Sequence, residues 1–534
     1  MVEHVLTQRR NEDQEMIIAT TSIELINTQD PKSLYKQSDE VIKEEKMNGV
    51  DETVEQLLIP HNRDSPSASL KEGRKLYQYI ATGVAGLPAL QLGIVLGWTS
   101  PMLPYLTSKD SFVVVNEDQS SWITSLAALG AFLGALPAGK LADYIGRRRS
   151  ILTVSIPFLA SWMMIILAKD IWGIYTGRLF AGIGCGSICV LSLMYVGEIA
   201  ETSVRGPLSS SFAILIACGI LYAYAAGAVL SYRAFAGSCG LLILLFFVLS
   251  PFLTESPTWL LRQGRKIEAN EALLRLRGPD FDTESEVACL QFHRQSKEGG
   301  IRDLVGTRAG RKAMTACLGL MFFQQLSGID AVLSYTVLIF QMAGSSIEPF
   351  IATVVIGIVE VVMSVLVALI IDRVGRRPLL IVSAAMMAIS LGALGYYFKM
   401  KSSGWDVTGV GWIPLVSLTL YVVMFSVGYG SIPWTMISEL FPPETKGAAS
   451  SISLCVNWAL VFAVTKLFPT MMTRLGESTT FWIFGSFMAL ASLFSILFVP
   501  ETKGKSLEEI QSKLERGRGR ISRPDLDVSM GVNV

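Results

Sequence analysis

Histidine is almost missing from this chain: His4, His61 and His293 are the only three in 534 residues, and none lies in an apolar run. No nucleophile, base and orienting group converge along the sequence, so an enzyme is not expected. Charge is scarce as well. Asp, Glu, Lys and Arg make up 17% of the residues against 51% hydrophobic, too few for a soluble protein of this length. The 45 Lys+Arg balance 45 Asp+Glu, which leaves no basic footprint for nucleic acid. The seven cysteines (Cys185, Cys189, Cys218, Cys239, Cys289, Cys317 and Cys455) are odd in number, lack metal-ligand spacing, and all but Cys289 lie in apolar runs, where they read as small fillers. Neither a metal nor another cofactor is expected. There is no Asn-x-Ser/Thr sequon, and no apolar run behind a basic start: Met1 to about Arg74 is polar, so residues 1–76 are expected to form a disordered cytosolic tail.

What the chain does have is long hydrophobic runs. A bilayer core about 30 Å thick takes roughly 20 apolar residues per helix. Six runs of that order lie near 80–105, 120–142, 149–168, 172–196, 207–230 and 233–253, and six more near 313–340, 348–371, 378–399, 411–438, 446–472 and 478–499. The charged, helix-prone stretch 255–312 separates them. The fold class that follows is an all-α polytopic membrane protein, with twelve transmembrane helices in two related six-helix bundles, 77–254 and 313–500. A cytoplasmic helical segment joins the bundles, and a cytoplasmic tail, 501–534, follows the second.

Basic residues set the orientation. Lys140, Arg147, Arg148, Arg149, Arg205, Arg373, Arg376, Arg377 and Lys446 fall in short loops on one side, which is therefore expected to be cytoplasmic together with both termini. The loops also repeat. Gly139-Lys-Leu-Ala-Asp143-Tyr-Ile-Gly146-Arg-Arg148 returns as Ile371-Asp372-Arg-Val-Gly375-Arg-Arg377, Glu198 with Arg205-Gly206 returns as Glu439 with Lys446-Gly447, and Thr254-Glu255 returns as Pro500-Glu501. Three matches in one order at nearly constant separation indicate a duplicated six-helix unit, with a site near the midplane between the halves.

Several segments carry a more specific resemblance: GRLFAGIGCG at Gly177–Gly186, YVGEIA at Tyr195–Ala200, ESP at Glu255–Pro257, QQLSGI at Gln324–Ile329, GSIPW at Gly430–Trp434, NW at Asn457–Trp458 and PETKG at Pro500–Gly504. From about Tyr77 to Gly504 the chain resembles the sugar porters of the major facilitator superfamily. Within that family, GYGSIPW and the VTK of Val464–Lys466 look most like the insect facilitated trehalose transporters.

The resemblance implies an alternating-access carrier. Amide side chains bond sugar hydroxyls and aromatic faces stack on a pyranose ring, and Gln324, Gln325, Asn457, Trp434, Trp458 and, in the first helix, Gln91 match positions that the family uses in this way. Asp143, Arg147, Arg148, Glu198, Arg205 and Glu255, mirrored by Asp372, Arg376, Arg377, Glu439, Lys446 and Glu501, are expected to form a gating charge network that biases one facing of the carrier over the other. Incidental positive-inside charge is the alternative.

Two departures stand out. Asp330 and Glu360 occupy positions where the resemblance leads to asparagine. At about 1.5 Å per residue they lie about 15 Å and 18 Å from the outer ends of their helices, near midplane. An ionisable residue there is a functional candidate, and a protonated acid standing in for an amide is the other reading. On an ideal helix Gln325 and Asp330 are about 140° apart, so both line one cavity only if the helix loosens at Ser327 and Gly328. Gly428, Gly430 and Pro433 supply a second break. The family's fifth-helix glutamine aligns with Ala213, its tenth-helix glutamate with Ser426, and the first-helix aspartate of proton-coupled members with Val95. The expected function is facilitative uniport of trehalose or a hexose such as glucose, by a plasma-membrane protein acting as a monomer in the bilayer. A proton-coupled symporter using Asp330 and Glu360, or a sugar sensor signalling through the N-terminal tail, are the alternatives.

Overall fold

In hydrocarbon each backbone N–H and C=O must be satisfied within its own segment, and the computed structural model is accordingly helical, with no strand among the described residues. It describes residues 73–516 except 202, 280, 293–303 and 305. Most of both expected tails, all three histidines and the side chains of Cys289 and Asp372 lie outside the described residues.

Twelve helical spans are long and apolar enough to cross a bilayer, from Leu76–Thr107 to Glu477–Phe498, within a few residues of the runs read from the sequence. In the first half they are α1 (Leu76–Gly97) with α2 (Thr99–Thr107), α3 (Glu117–Ile145), α4 (Arg147–Leu167), α5 (Ile171–Ile199), α6 (Arg205–Val229) and α7 (Tyr232–Leu249). Three shorter helices follow: α8 (Pro257–Arg262), α9 (Lys266–Arg277) and α10 (Thr283–Phe292). The second half contains α11 (Arg308–Leu326) with α12 (Ile329–Ala343), α13 (Pro349–Val374), α14 (Arg376–Ser402), α15 (Ile413–Phe425) with α16 (Ile432–Leu440), α17 (Pro443–Arg474) and α18 (Glu477–Phe498). α19 (Leu507–Arg516) ends the described chain. Outward faces keep large apolar residues such as Leu241, Val248, Leu369 and Ile389 exposed, as contact with lipid requires.

Local chemistry sets the helix ends. Asn116 and Gln119 make a reciprocal capping box at the start of α3, with bonds of 2.8 and 3.0 Å. α8 and α9 dock on the first half: Trp259 Nε1 donates to the Asp143 carbonyl at 2.9 Å, and buried Arg277 donates to the Ile199 carbonyl at 2.8 Å. α19 docks on the second half in the same manner, with Gln511 donating to the Leu440 carbonyl and Lys312 to the Leu514 carbonyl, both at 2.5 Å.

Three spans are interrupted. The first breaks at Trp98, where Pro101 has no N–H for the Gly97 carbonyl. The seventh breaks at Ser327–Gly328, and the tenth passes through a five-residue π turn, Ser426–Gly430, between α15 and α16. Gly328 has φ +83°, and a Cβ there would lie 2.8 Å from the Phe484 ring, so a side chain is excluded twice over.

The halves meet along α3–α17, α6–α13 and α2–α12. α12 bends at Tyr335 (φ −118°, ψ 16°), and the backbone groups beside the bend bond across the interface: Val337 N–H donates to Ser100 Oγ at 3.2 Å, and the Leu333 carbonyl accepts from Tyr224 OH at 2.8 Å.

Candidate functional site

The breaks gather the amides. Pro433 cannot supply an N–H to the Tyr429 carbonyl, and Gln324 Nε2 donates to that carbonyl at 2.7 Å instead. Gln324 Oε1 accepts from Asn457 Nδ2 at 3.0 Å, so one side chain joins α11, the π turn and α17. Gln324 and Asn457 are 3% and 4% exposed, and a bond left unmade at that depth costs about 1–3 kcal/mol. Tyr421 OH reaches the Ser327 carbonyl at 3.0 Å and fixes the other side of the break.

A second group lies one residue on. The Gln325 side chain lies close enough to act on the Asp330 carboxyl across the Ser327–Gly328 break, as the expected loosening of the helix would allow. Its Oε1 remains buried without a partner. Asp330 sits in the first turn of α12, where a negative charge faces favourable backbone dipoles. Glu360 on α13 lies within electrostatic reach of Asp330, and its Oε2 is likewise buried and unpartnered.

The other expected contacts divide. Trp458, 6% exposed, has an unpartnered indole N–H next to Asn457, while Trp434 on the first turn of α16 is 36% exposed. Gln91 is not brought to this group. Its Nε2 donates to the Cys239 carbonyl at 2.8 Å and its Oε1 accepts from Trp162 at 2.9 Å, so both ends are spent tying α1 to α7 and α4.

Arg178 was not singled out by the motif reading, although a cation inside the apolar GRLF run was the signal for it. It is 2% exposed and donates to the carbonyls of Val95 at 2.9 Å and Ile123 at 3.0 Å, with its guanidinium 5.3 Å from the Trp98 ring centroid. Val95 stands at the position of the acid found in proton-coupled members, and its backbone carbonyl takes the cation.

The charged motifs form two equivalent knots at one end of the bundle. In the first half Arg147, 2% exposed, pairs with Glu198 at 2.8 Å and Asp143 at 3.1 Å. Glu255 Oε1 accepts from the backbone N–H groups of Arg147 and Arg148 at 2.7 and 3.0 Å, and Ser256 donates to Glu198. In the second half Arg376 pairs with Glu439 at 2.9 Å, Glu501 accepts from the N–H groups of Arg376 and Arg377 at 3.1 Å, and Thr502 donates to Glu439 at 2.5 Å. Gly146 and Gly375 make this possible, with φ +98° and +103°; a Cβ would fall 2.5 Å from Glu255 Oε2 and 3.2 Å from Glu501 Oε2. Burial pushes the Glu501 carboxyl up, but the N–H groups of Lys503, Arg376, Arg377 and Thr502 outweigh it and hold the group below the ordinary glutamate range. Arg205 reaches only the Ala200 carbonyl, at 3.3 Å, and Lys446 is exposed. Among the described residues, these ion pairs join helices of one half.

Bonds between the halves lie at the opposite end. Lys466 on α17 meets Asp118 and Ser121 on α3, both at 2.7 Å, and stands 4.3 Å from the Trp122 ring centroid; Thr473 donates to Glu117 at 2.8 Å. That end is sealed.

Comparison with known proteins followed this geometry. A family model described as "Sugar (and other) transporter" matches residues 76–514. The chain is 37% identical over 454 residues to the facilitated trehalose transporter Tret1 of Polypedilum vanderplanki, covering 84% of this chain and 89% of that one. It is 38% identical over 449 residues to Tret1 of Apis mellifera ligustica, covering 82% and 88%. Against Tret1 of Drosophila virilis, at 37% identity, it spans about half the relative's length, 49%. Among solved structures, the partially occluded inward-open xylose transporter XylE from E. coli superposes with a TM-score of 0.69 at 25% identity, covering 81% of this chain and 100% of that one. XylE bound to 6-bromo-6-deoxy-D-glucose gives 0.67 at 27% identity, covering 82% and 99%.

Proposed function

The chain belongs to the sugar transporter family, and on that premise we propose that it is a facilitative uniporter that moves trehalose or a hexose such as glucose by alternating access. The observation that carries this reading is the meeting of Gln324, Asn457 and the Tyr429–Gly430 turn where two interrupted helices cross. Interrupted backbone at that depth is tolerated only beside protein or a cavity, and the amides offer the mixed donor and acceptor chemistry that hydroxyls need. Trp434 and Trp458 supply ring faces beside it. The insect relatives carry names of facilitated trehalose transporters. Uniport is further supported by Arg178, whose neighbour at Val95 is a carbonyl rather than a titratable acid.

In this proposal the knotted end faces the cytoplasm of a plasma-membrane protein, with the chain termini on that side. The Lys466 end faces out and is closed, in keeping with the likeness to XylE in its partially occluded inward-open and inward-open conformations. The knots at Arg147 and Arg376 are the surfaces that close against each other when the carrier faces outward. The chain works as a monomer, with the segments 77–254 and 313–500 as its moving halves and 255–312 as the cytoplasmic helical linker.

The test is uptake and counterflow of radiolabelled trehalose and glucose by the purified protein in liposomes. Equilibration to, and not beyond, the outside concentration is expected, with no response to an imposed pH gradient and with the apparent KM raised at least tenfold by Gln324→Ala. Absence of counterflow for every sugar in the panel, or accumulation driven by the pH gradient, overturns the reading.

A further inference from the structure

The acids at Asp330 and Glu360 change what the site can hold. An amide both donates and accepts, whereas the carboxylates present here only accept when ionised. Three acceptor groups here come from three helices: Gln325 Oε1, the Asp330 carboxyl and Glu360 Oε2. Two of those atoms, Gln325 Oε1 and Glu360 Oε2, are buried with no partner, and Gln325 as a whole is 5% exposed. The Gln325 side chain acts on Asp330, and Asp330 in turn acts on Glu360, so the three groups are neighbours.

The nearby hydroxyls are spent elsewhere. Tyr224 donates to the Leu333 carbonyl at 2.8 Å and Tyr421 to the Ser327 carbonyl at 3.0 Å. Among the described residues no Lys, Arg or His forms an ion pair with either acid, and the charged group that acts on Glu360 is Asp330 itself. The buried cation Arg178 is held by the carbonyls of Val95 and Ile123. A carboxylate without a counterion in such a place is unfavourable. A neutral sugar can donate hydroxyls to it and still leave its charge uncompensated; a ligand bearing an ammonium group supplies both the charge and three donors.

We propose that Gln325, Asp330 and Glu360 together form a cation subsite beside the sugar ring, and that amine-bearing sugars such as glucosamine are preferred substrates. This rests on the sugar-carrier reading, since Gln324 and Asn457 hold the ring that carries the amine.

Competition against radiolabelled glucose counterflow, with the full chain in liposomes near neutral pH, tests it. D-glucosamine is expected to compete at least tenfold better than D-glucose or N-acetyl-D-glucosamine, which share the ring and lack the charge. In Asp330→Asn and Glu360→Gln the ratio of glucosamine to glucose affinity is expected to fall toward one, with detergent melting temperature reporting that each variant is folded. Glucosamine competing no better than N-acetylglucosamine overturns the subsite and leaves the carrier intact. The same holds for a preference that survives in both variants, or for a pH gradient that drives glucose accumulation through the two acids, because a proton then takes the place assigned to the amine. Counterflow of no sugar at all removes the carrier reading itself.

Discussion

Lys466→Met removes the cation that holds the two halves together at the sealed end while keeping a chain of similar length. Three contacts go: the Asp118 carboxylate and the Ser121 hydroxyl, each at 2.7 Å, and the Trp122 ring, 4.3 Å away. Asp118 is 76% exposed and Lys466 21%, so the ion pair counts as a surface pair worth about 0–1 kcal/mol. The cation–π contact adds about 0.5–1 kcal/mol. These contacts exist only while this end is shut, so their sum of roughly 0.5–2 kcal/mol is differential between states and shifts the equilibrium by about 2- to 30-fold toward opening. The assay is the rate at which a membrane-impermeant maleimide labels a cysteine placed at Thr124, a buried position further along α3 than the clamp. Labelling of Thr124→Cys above the background of the native cysteines is expected to rise about 2- to 30-fold in the Lys466→Met background. It should rise less with Asp118→Asn, which removes only the ion pair, and no further than in Lys466→Met alone when the two changes are combined. Unchanged labelling in a folded Lys466→Met variant refutes the assignment of this contact as a state-specific clamp.

Three further outcomes follow from the same geometry. Arg147→Ala leaves Glu198, 17% exposed, without its cation and is expected to cost about 3–5 kcal/mol; Arg376→Ala, whose pair is 13% and 24% exposed, should cost less, as thermal unfolding in detergent would show. The Glu501 carboxyl sits below the ordinary glutamate range when folded, so its contribution to stability is present above that range and lost as pH falls through the depressed folded value. The melting-temperature advantage of the native chain over Glu501→Gln should therefore hold at neutral pH and shrink only in acid. Gly328→Ala places a Cβ 2.8 Å from the Phe484 ring at φ +83° and is expected to destabilise by about 1–3 kcal/mol, read by the same melting experiment.

The spans were legible because apolar length is a one-dimensional property; each predicted run lies within a few residues of its helix. The break at Ser327–Gly328 was legible because Gln325 and Asp330 could not otherwise share a side. What no run of residues discloses is who meets whom. Gln91 reads as a site amide along the sequence, while the structure bonds its two ends to Cys239 and Trp162, a pairing that depends on how α1 packs. The Lys466–Asp118 contact joins residues in different halves of the chain, and nothing beside either one announces the other. The charge motifs were legible as a repeat, while their confinement to one half at a time depended on where α5 and α16 deliver Glu198 and Glu439.

Those paired knots carry a consequence for how the molecule tolerates change. Glu255 grips the start of α4 and Ser256 grips Glu198 on α5, so the chain leaving the sixth span is stapled back onto its own half by the first residues of the segment that follows. Glu501 and Thr502 do the same after the twelfth span. Each half is thus finished as a unit by the last residues it contributes. A cut or an insertion among the residues between α10 and α11 severs none of the described bonds in either knot.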